Sequence, residues 1–208
     1  MVYIPHSGEN AEKIEGILSA AQKRFGQYGL EKTTMKEIAA DLGMSKAALY
    51  YYFPDKEGLF KAVVEMEQDE FFQAVKQVHE VTSDPIVMLK EYARLRLKYF
   101  KTLFNLSRLR IEEFSFMKPM LLDTLNEFRF REGELIKDII TSGNEMGVFH
   151  VENPAETATL YIELIKGLRM VLIHKKDIFY IEPEEFSSLE RKMSMFTDIF
   201  IRGLAYKN

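Results

Sequence analysis

Few side chains in this chain are typed and spaced for covalent or metal chemistry. The four histidines are His6, His79, His150 and His174, and none has a glutamate three residues before it. The Glu-x-x-His pattern of all-helical carboxylate metal sites is therefore absent. There is no His-Glu-x-x-His, no glycine-rich phosphate loop and no Gly-x-Ser-x-Gly. Glu112 and Glu113 are adjacent, so on a helix they diverge by about 100° and read as a solvated face. His174-Lys175-Lys176-Asp177 reads as a charged helix end favoured by the dipole. These features argue against an enzyme, and they call for no metal and no cofactor. A different chemistry is offered by "MSKAALYYYFPDKEGLF", Met44 to Phe60, where three phenols stand in a row.

Three neighbours on a helix cannot share one buried face. With Leu49 as origin and about 100° per residue, Phe53 falls at about 40°, so this pair faces a core. Ala47 falls at about 160° and Tyr51 at about 200°, on the outer side, with Tyr50 and Tyr52 on the two flanks. Lys46 belongs to the first turn. Such a helix suits a major groove. Its central outward residues reach base edges, while flanking hydroxyls can donate to phosphates on either wall. Ala47 and Ala48 let the backbone come close.

The elements that hold this helix are legible from periodicity and caps. A first helix, about Asn10 to Tyr28, carries Ile14, Ile17, Leu18, Ala21 and Phe25 on one face, and Gly29 ends it. Thr34 and Glu37 form a capping box for a second, which stops at Gly43. Ser45 caps the third, about Lys46 to Phe53, and Pro54 forbids its continuation. Short helix, tight turn "LGMS", short helix is the sequence form of a helix-turn-helix. Asp55 caps a long fourth helix to about Val81. The starts of the second and fourth helices add anion-seeking ends near Thr34 and Asp55. Asp84-Pro85 opens a fifth, to about Asn105. A short sixth ends before Pro119, and a seventh runs from there to about Met146. Asn153-Pro154 opens the eighth, to about Lys176, and Pro183 the ninth, to about Tyr206. The expected class is all-α with about nine helices. Residues 1–54 form the helix-turn-helix domain and 55–208 a second helical domain, with the fourth helix reaching into both halves.

"GILSAAQKRFGQYGLEKTTMKEIAADLGMSKAALYYYFPDKEGLFKAVV" resembles the N-terminal domain of the TetR family of transcriptional regulators. The resemblance covers about residues 14–64. It rests on Phe-x-x-x-Gly, the Thr-Thr start, Ile-Ala-x-x-Leu-Gly, Ser-x-x-x-Leu-Tyr-x-x-Phe and Lys-Glu-x-Leu. By it, Thr34, Tyr50, Tyr52 and Lys56 fall where members contact phosphate, and Lys46, Ala47 and Tyr51 where they read bases. Thr33 and Ser45 complete the candidate DNA-binding set. Tyr52 stands where many members carry histidine. The role survives that change, but not its pH sensitivity. The resemblance implies a repressor that binds a near-palindromic operator in double-stranded DNA as a homodimer and is released by a small apolar or amphipathic effector. A DNA-binding dimer without any small ligand is the other reading open at this point.

The remaining three-quarters matches that family only in helix layout. Leu160, Leu164, Gly167, Leu168 and Val171 on the eighth helix, with Phe196, Phe200 and Gly203 on the ninth, are candidates for a four-helix dimer interface or for the subunit's own core. Arg96, Tyr99, Phe100, Phe104, Met117, Met120, Phe128 and Tyr161 are candidate ligand residues. Aromatics and methionines of this kind line adaptable cavities and also build ordinary cores. The 208 residues carry a net charge of −4, and residues 1–64 hold eight cations and eight acids, so the acidity lies in the second half. With no cysteine, no signal-peptide pattern and no membrane-length apolar run, the expected location is cytoplasmic.

Overall fold

A computed structural model describes residues 8–107, 111–173 and 182–205, with side chains for 10–102, 119–171 and 182–205. Among the described residues there are eight helices and no strand. They are α1 (Gly8–Tyr28), α2 (Met35–Asp41), α3 (Lys46–Tyr52), α4 (Lys56–Val81), α5 (Pro85–Ser107), α6 (Ile111–Glu145), α7 (Pro154–Ile173) and α8 (Pro183–Leu204). The side chains of Phe104, Glu112, Glu113 and Met117, and all of His6 and His174–Asp177, lie outside the described residues.

The helix count corrects the expected nine. Pro119 does not divide two helices but sits inside α6. Proline's fixed φ is compatible with the helix. What it removes is one backbone hydrogen bond, a local loss that a long helix packed along its length tolerates.

The caps form as the side-chain types require. Thr34 Oγ1 accepts from the Glu37 amide at 3.3 Å, and the Thr34 amide donates to the Glu37 carboxylate at 2.9 Å. Ser45 Oγ accepts from the Ala48 amide at 3.1 Å, and Asp55 Oδ1 from the Gly58 amide at 2.6 Å. Each satisfies an amide that the first turn leaves without a partner. Between α2 and α3 the chain reverses through Gly43, whose φ of +63° is open to glycine at no steric cost. The Met44 amide then reaches back to the Ala39 carbonyl at 3.0 Å, closing the helix end.

Two apolar clusters hold the chain. The first joins Ile17, Ala21 and Phe25 of α1 to Ile38 and Ala39 of α2, Leu49 of α3 and Leu59 to Val64 of α4. Leu121 of α6 closes it. The second is built from α4 to α8, around Leu89, Tyr92, Ile136, Ile140, Phe149 and Tyr161. Helix α4 supplies residues to both, with Leu59, Phe60 and Val63 in the first and Phe71 and Val75 in the second. Polar links run along the same helix. Gln22 of α1 bonds Glu67, Thr124 of α6 donates to Glu65 at 3.0 Å, and Arg131 of α6 pairs with Asp69 at 2.9 Å.

At the end of α6, Phe149 turns back into the second core and is 1% exposed. Its ring lies where a side chain on Gly143 would go, since an added Cβ would stand 2.1 Å from Cδ2. Gly143→Ala must therefore displace a buried ring, at a cost of about 1–3 kcal/mol. Gly16, with open space around it on α1, is the control. Its replacement by alanine leaves stability unchanged or raises it by about 0.5–1 kcal/mol. Urea denaturation of the two variants beside the parent chain checks both.

Candidate nucleic-acid interface and a buried charge cluster

Leu49 is fully buried and Phe53 nearly so, which fixes the rotation of α3. Lys46, Ala47, Tyr50 and Tyr51 then face outward. Tyr51 is 81% exposed and Tyr50 40%. The Lys46 ammonium lies 5.3 Å from the centre of the Tyr50 ring, a cation–π contact that holds both at one edge of the helix. Tyr52 is half-buried against the first core, with its ring set edge-on to that of Tyr51 at 5.3 Å. Both rings border a groove of about 1080 Å³ between α1, α3 and α4. The three tyrosines thus occupy an exposed flank, an outer face and a half-buried flank. A short helix with one buried side chain can do nothing else with three consecutive rings.

One side of α2, from Thr34 and Glu37 to Asp41, carries a network of charges. Arg24 of α1 pairs with Asp41 at 2.6 Å and reaches Glu37 at 3.4 Å. Hydrogen bonds from Thr34 hold the Glu37 carboxyl below its usual range, with Arg24 adding to the effect. The bond from Arg24 does the same for Asp41. Two surface acids that would repel a phosphate chain are thereby paired with Arg24. Lys23, Lys32, Lys36 and Lys46 stay exposed.

Two expected DNA contacts are placed otherwise. Thr33 is 0% exposed, and its hydroxyl donates to the Gly29 carbonyl at 2.7 Å. A threonine following a helix end satisfies the local backbone before it can serve a ligand. Lys56 directs its ammonium to the carbonyls of Leu30 at 2.9 Å and Glu31 at 3.4 Å. Carbonyls left over from the α1–α2 loop hold the cation, and a phosphate would have to compete with them. Thr34 and Ser45 remain exposed, but as caps.

In the second half, Arg96, Tyr99 and Phe128 come together. The Arg96 guanidinium lies 5.4 Å from the Tyr99 ring centre and 4.8 Å from that of Phe128. Both rings meet Phe71 of α4, at 5.5 and 5.6 Å. Met120 does not join them. It packs on the first core with Leu121 and Leu125, because this stretch of α6 lies against the helix-turn-helix half. Tyr161 is buried one ring further on, its hydroxyl 3.0 Å from Thr197 Oγ1. Its ring stacks on Phe200 at 4.5 Å and Phe196 at 5.9 Å. Those two phenylalanines therefore face their own subunit's core, where a large ring is best covered. Leu160, Leu164, Gly167 and Val171 remain exposed on α7, and Met195 and Ile199 on α8.

Glu132 and Arg169 belong beside Arg96, although no motif singles them out. Arg96 Nε and the Tyr92 hydroxyl both donate to Glu132 Oε1, the latter at 2.7 Å. Burial is the largest influence on the Arg96 guanidinium and would lower it, but the Glu132 carboxylate together with Tyr92 and Tyr99 outweighs burial and holds the group above its usual value. The signal was periodicity: Tyr161, Ile165 and Arg169 recur at i, i+4 and i+8, and Phe128, Glu132 and Ile136 do likewise. A charge on a buried stripe is the anomaly to look for.

Fold and site together define a helix-turn-helix protein with a helical second half. The family model for bacterial regulatory proteins of the tetR family matches residues 17–63. A transcriptional regulator from Cytophaga hutchinsonii has a solved structure 39% identical in sequence, with a TM-score of 0.87, covering 93% of this chain and 99% of that one. The HTH-type regulator RutR of Escherichia coli K12 is 38% identical over 113 residues. That alignment spans 54% of this chain and 53% of RutR, about half the length of each. The HTH-type repressor BepR of Brucella suis is 28% identical over 177 residues, 80% of this chain and 83% of BepR. The chain belongs to the TetR family, a family of regulatory proteins rather than enzymes. No helix among the described residues is long and apolar enough to cross a membrane.

The placement of Lys56 and Tyr51 separates support from display. Lys56→Met should destabilise the chain by about 1 kcal/mol, since two carbonyls lose a charged donor. Tyr51→Ala should stay within about 0.5 kcal/mol of the parent, as an exposed ring holds little of the fold. Thermal melts of the two variants provide the measurement.

Proposed function

We propose that the chain is a DNA-binding transcriptional regulator that reads a near-palindromic operator as a homodimer and acts as a repressor released by a small ligand. Tyr51 carries the reading. It is a large ring left 81% exposed on the outer face of a capped helix, beside exposed Lys46 and Ala47. Exposing such a ring has no benefit to the fold, whereas in a major groove it meets base edges or thymine methyl groups. Lys46 and Ala47 share the base-reading role with Tyr51, and Tyr50, one turn after Lys46, serves the phosphate wall. In this division of labour residues 1–54 bind DNA and residues 55–208 dimerise and sense, and a DNA-binding chain of this kind works in the cytoplasm. Repression is favoured by the likeness to BepR, a repressor.

One helix-turn-helix has too little surface for strong specific binding, so a second copy is needed. The uncovered apolar side chains of α7 and α8 suit that copy. On α7, Leu160, Leu164, Gly167 and Val171 fall within about 60° of one another. Gly167 would let two helices approach closely. Leu168, Phe196, Phe200 and Gly203 would then support or border the interface, and Met195 and Ile199 join it. Control follows from α4. A ligand among Arg96, Tyr99, Phe100 and Phe128 acts on Phe71 and so on the helix that begins beside α3. The spacing of two recognition helices changes while DNA demands about 34–36 Å. Such coupling is reciprocal and typically about 1–3 kcal/mol.

Selection of bound fragments from random duplex DNA should return two inverted half-sites one helical turn apart, or a multiple of it. On that operator Tyr51→Ala should lose about 1–3 kcal/mol of discrimination at one base pair per half-site. Unchanged selectivity removes Tyr51 from base reading. Leu164→Asp with Val171→Asp should give a monomer by sedimentation and abolish tight operator binding. A dimer that survives both changes places the interface elsewhere.

A further inference from the structure

Arg169 of α7 is the anomaly of the second half. It is 6% exposed, and among the described residues its Nε has no hydrogen-bond partner. Its guanidinium stands 5.0 Å from the centre of the Phe100 ring. The nearby carboxylate, Glu132, already accepts from Arg96 and Tyr92. Among the described residues, the two guanidinium groups of Arg96 and Arg169 share the single nearby carboxylate of Glu132, which is already paired with Arg96. Burial, with Arg96 close by, pulls the Arg169 guanidinium down to about 9, which still leaves it charged near neutral pH. A buried, unpaired cation is among the most costly features a core can hold. Its natural complement is an anion, and the fork of an arginine matches a carboxylate.

We propose that the effector site binds a small organic anion, a carboxylate on an apolar body, with Arg169 as the anchor. The proposal rests on the ligand-released regulator described above and names the class of that ligand. Arg96 does not compete for the anion, since Glu132 neutralises it. Phe100, Tyr99 and Phe128 supply apolar surface for the body of the ligand. The site also touches the control element. Arg96 lies against Tyr99 and Phe128, and these rings meet Phe71 on α4. An anion held by Arg169 would bring its apolar body against Tyr99 and Phe128, rings that bear directly on the helix leading to the helix-turn-helix. This also accounts for a residue the fold alone would not select, since proteins retain such local costs where function needs them.

The test uses the full chain without DNA, so that a failure to bind any operator would leave its result untouched. Calorimetric titrations compare decanoate with decanamide, and 4-phenylbutyrate with its amide, to separate fatty from aromatic acids. At least one acid should bind about ten- to a hundredfold more tightly than its amide, the range set by one charge-assisted contact. Arg169→Met should bring the acid and amide to within about twofold, and Arg169→Lys should keep part of the difference. Without ligand, Arg169→Met should melt at the parent temperature or a few degrees above it, because an unpaired charge has been removed. Absence of an acid preference in both pairs overturns the assignment, as does a preference that Arg169→Met leaves intact. A lower melting temperature for Arg169→Met also overturns it, since the guanidinium would then have its partner within the fold. None of these failures touches the DNA reading, which stands on α3.

Discussion

Helix α4 is the constraint on which the two halves depend. Its 26 residues span about 39 Å. The first turns bury Leu59, Phe60 and Val63 against α1 to α3, and the later ones bury Phe71 and Val75 against α5 and α6. Close-packed cores do not deform smoothly. A displacement of α4 in one cluster must therefore be answered in the other. The links from Gln22 to Glu67, Thr124 to Glu65 and Arg131 to Asp69 reinforce this along its length. They also make α6 a second brace, since Leu121 sits in the helix-turn-helix core while Phe128 sits in the other.

Charge is handled in opposite ways at the two ends of this lever. At the surface, Arg24 gathers Glu37 and Asp41, so a neutral domain still offers lysines to a polyanion. Water and salt screen these exposed pairs, and they contribute little to stability. What they set is the sign of the surface. In the interior, Arg96, Glu132 and Tyr92 form a satisfied group, and Arg169 beside them is not satisfied. There the low dielectric magnifies each charge. The same excess that would be trivial on α2 becomes, between α5 and α7, a strong statement about what should bind.

Much of the helix-turn-helix was legible because its signals are local. Thr34, Ser45 and Asp55 cap helices whatever surrounds them, and Gly43 turns the chain because its φ is open. The rotation of α3 followed from Leu49 and Phe53 alone. The settings of Thr33 and Lys56 are harder to read from the sequence. Thr33 bonds a carbonyl four residues back, a local choice between backbone and ligand, whereas the Leu30 carbonyl that holds Lys56 lies 26 residues away in the chain. Pro119 does not break α6, because what a proline does inside a helix depends on packing contributed by distant residues.

The amino-acid order by itself determined an all-helical chain, the helix-turn-helix and the outward ring of Tyr51, since caps, turns and 3.6-residue periodicity act within a few residues of one another. Only the tertiary structure decided that Met120 belongs to the first core, that Phe196 and Phe200 stack on Tyr161, and that Arg169 is buried near Arg96 and Glu132 with its Nε unsatisfied among the described residues. Those facts depend on which helices meet. Burial and pairing are properties of neighbours in space, and for these residues the neighbours lie tens of positions away in the chain.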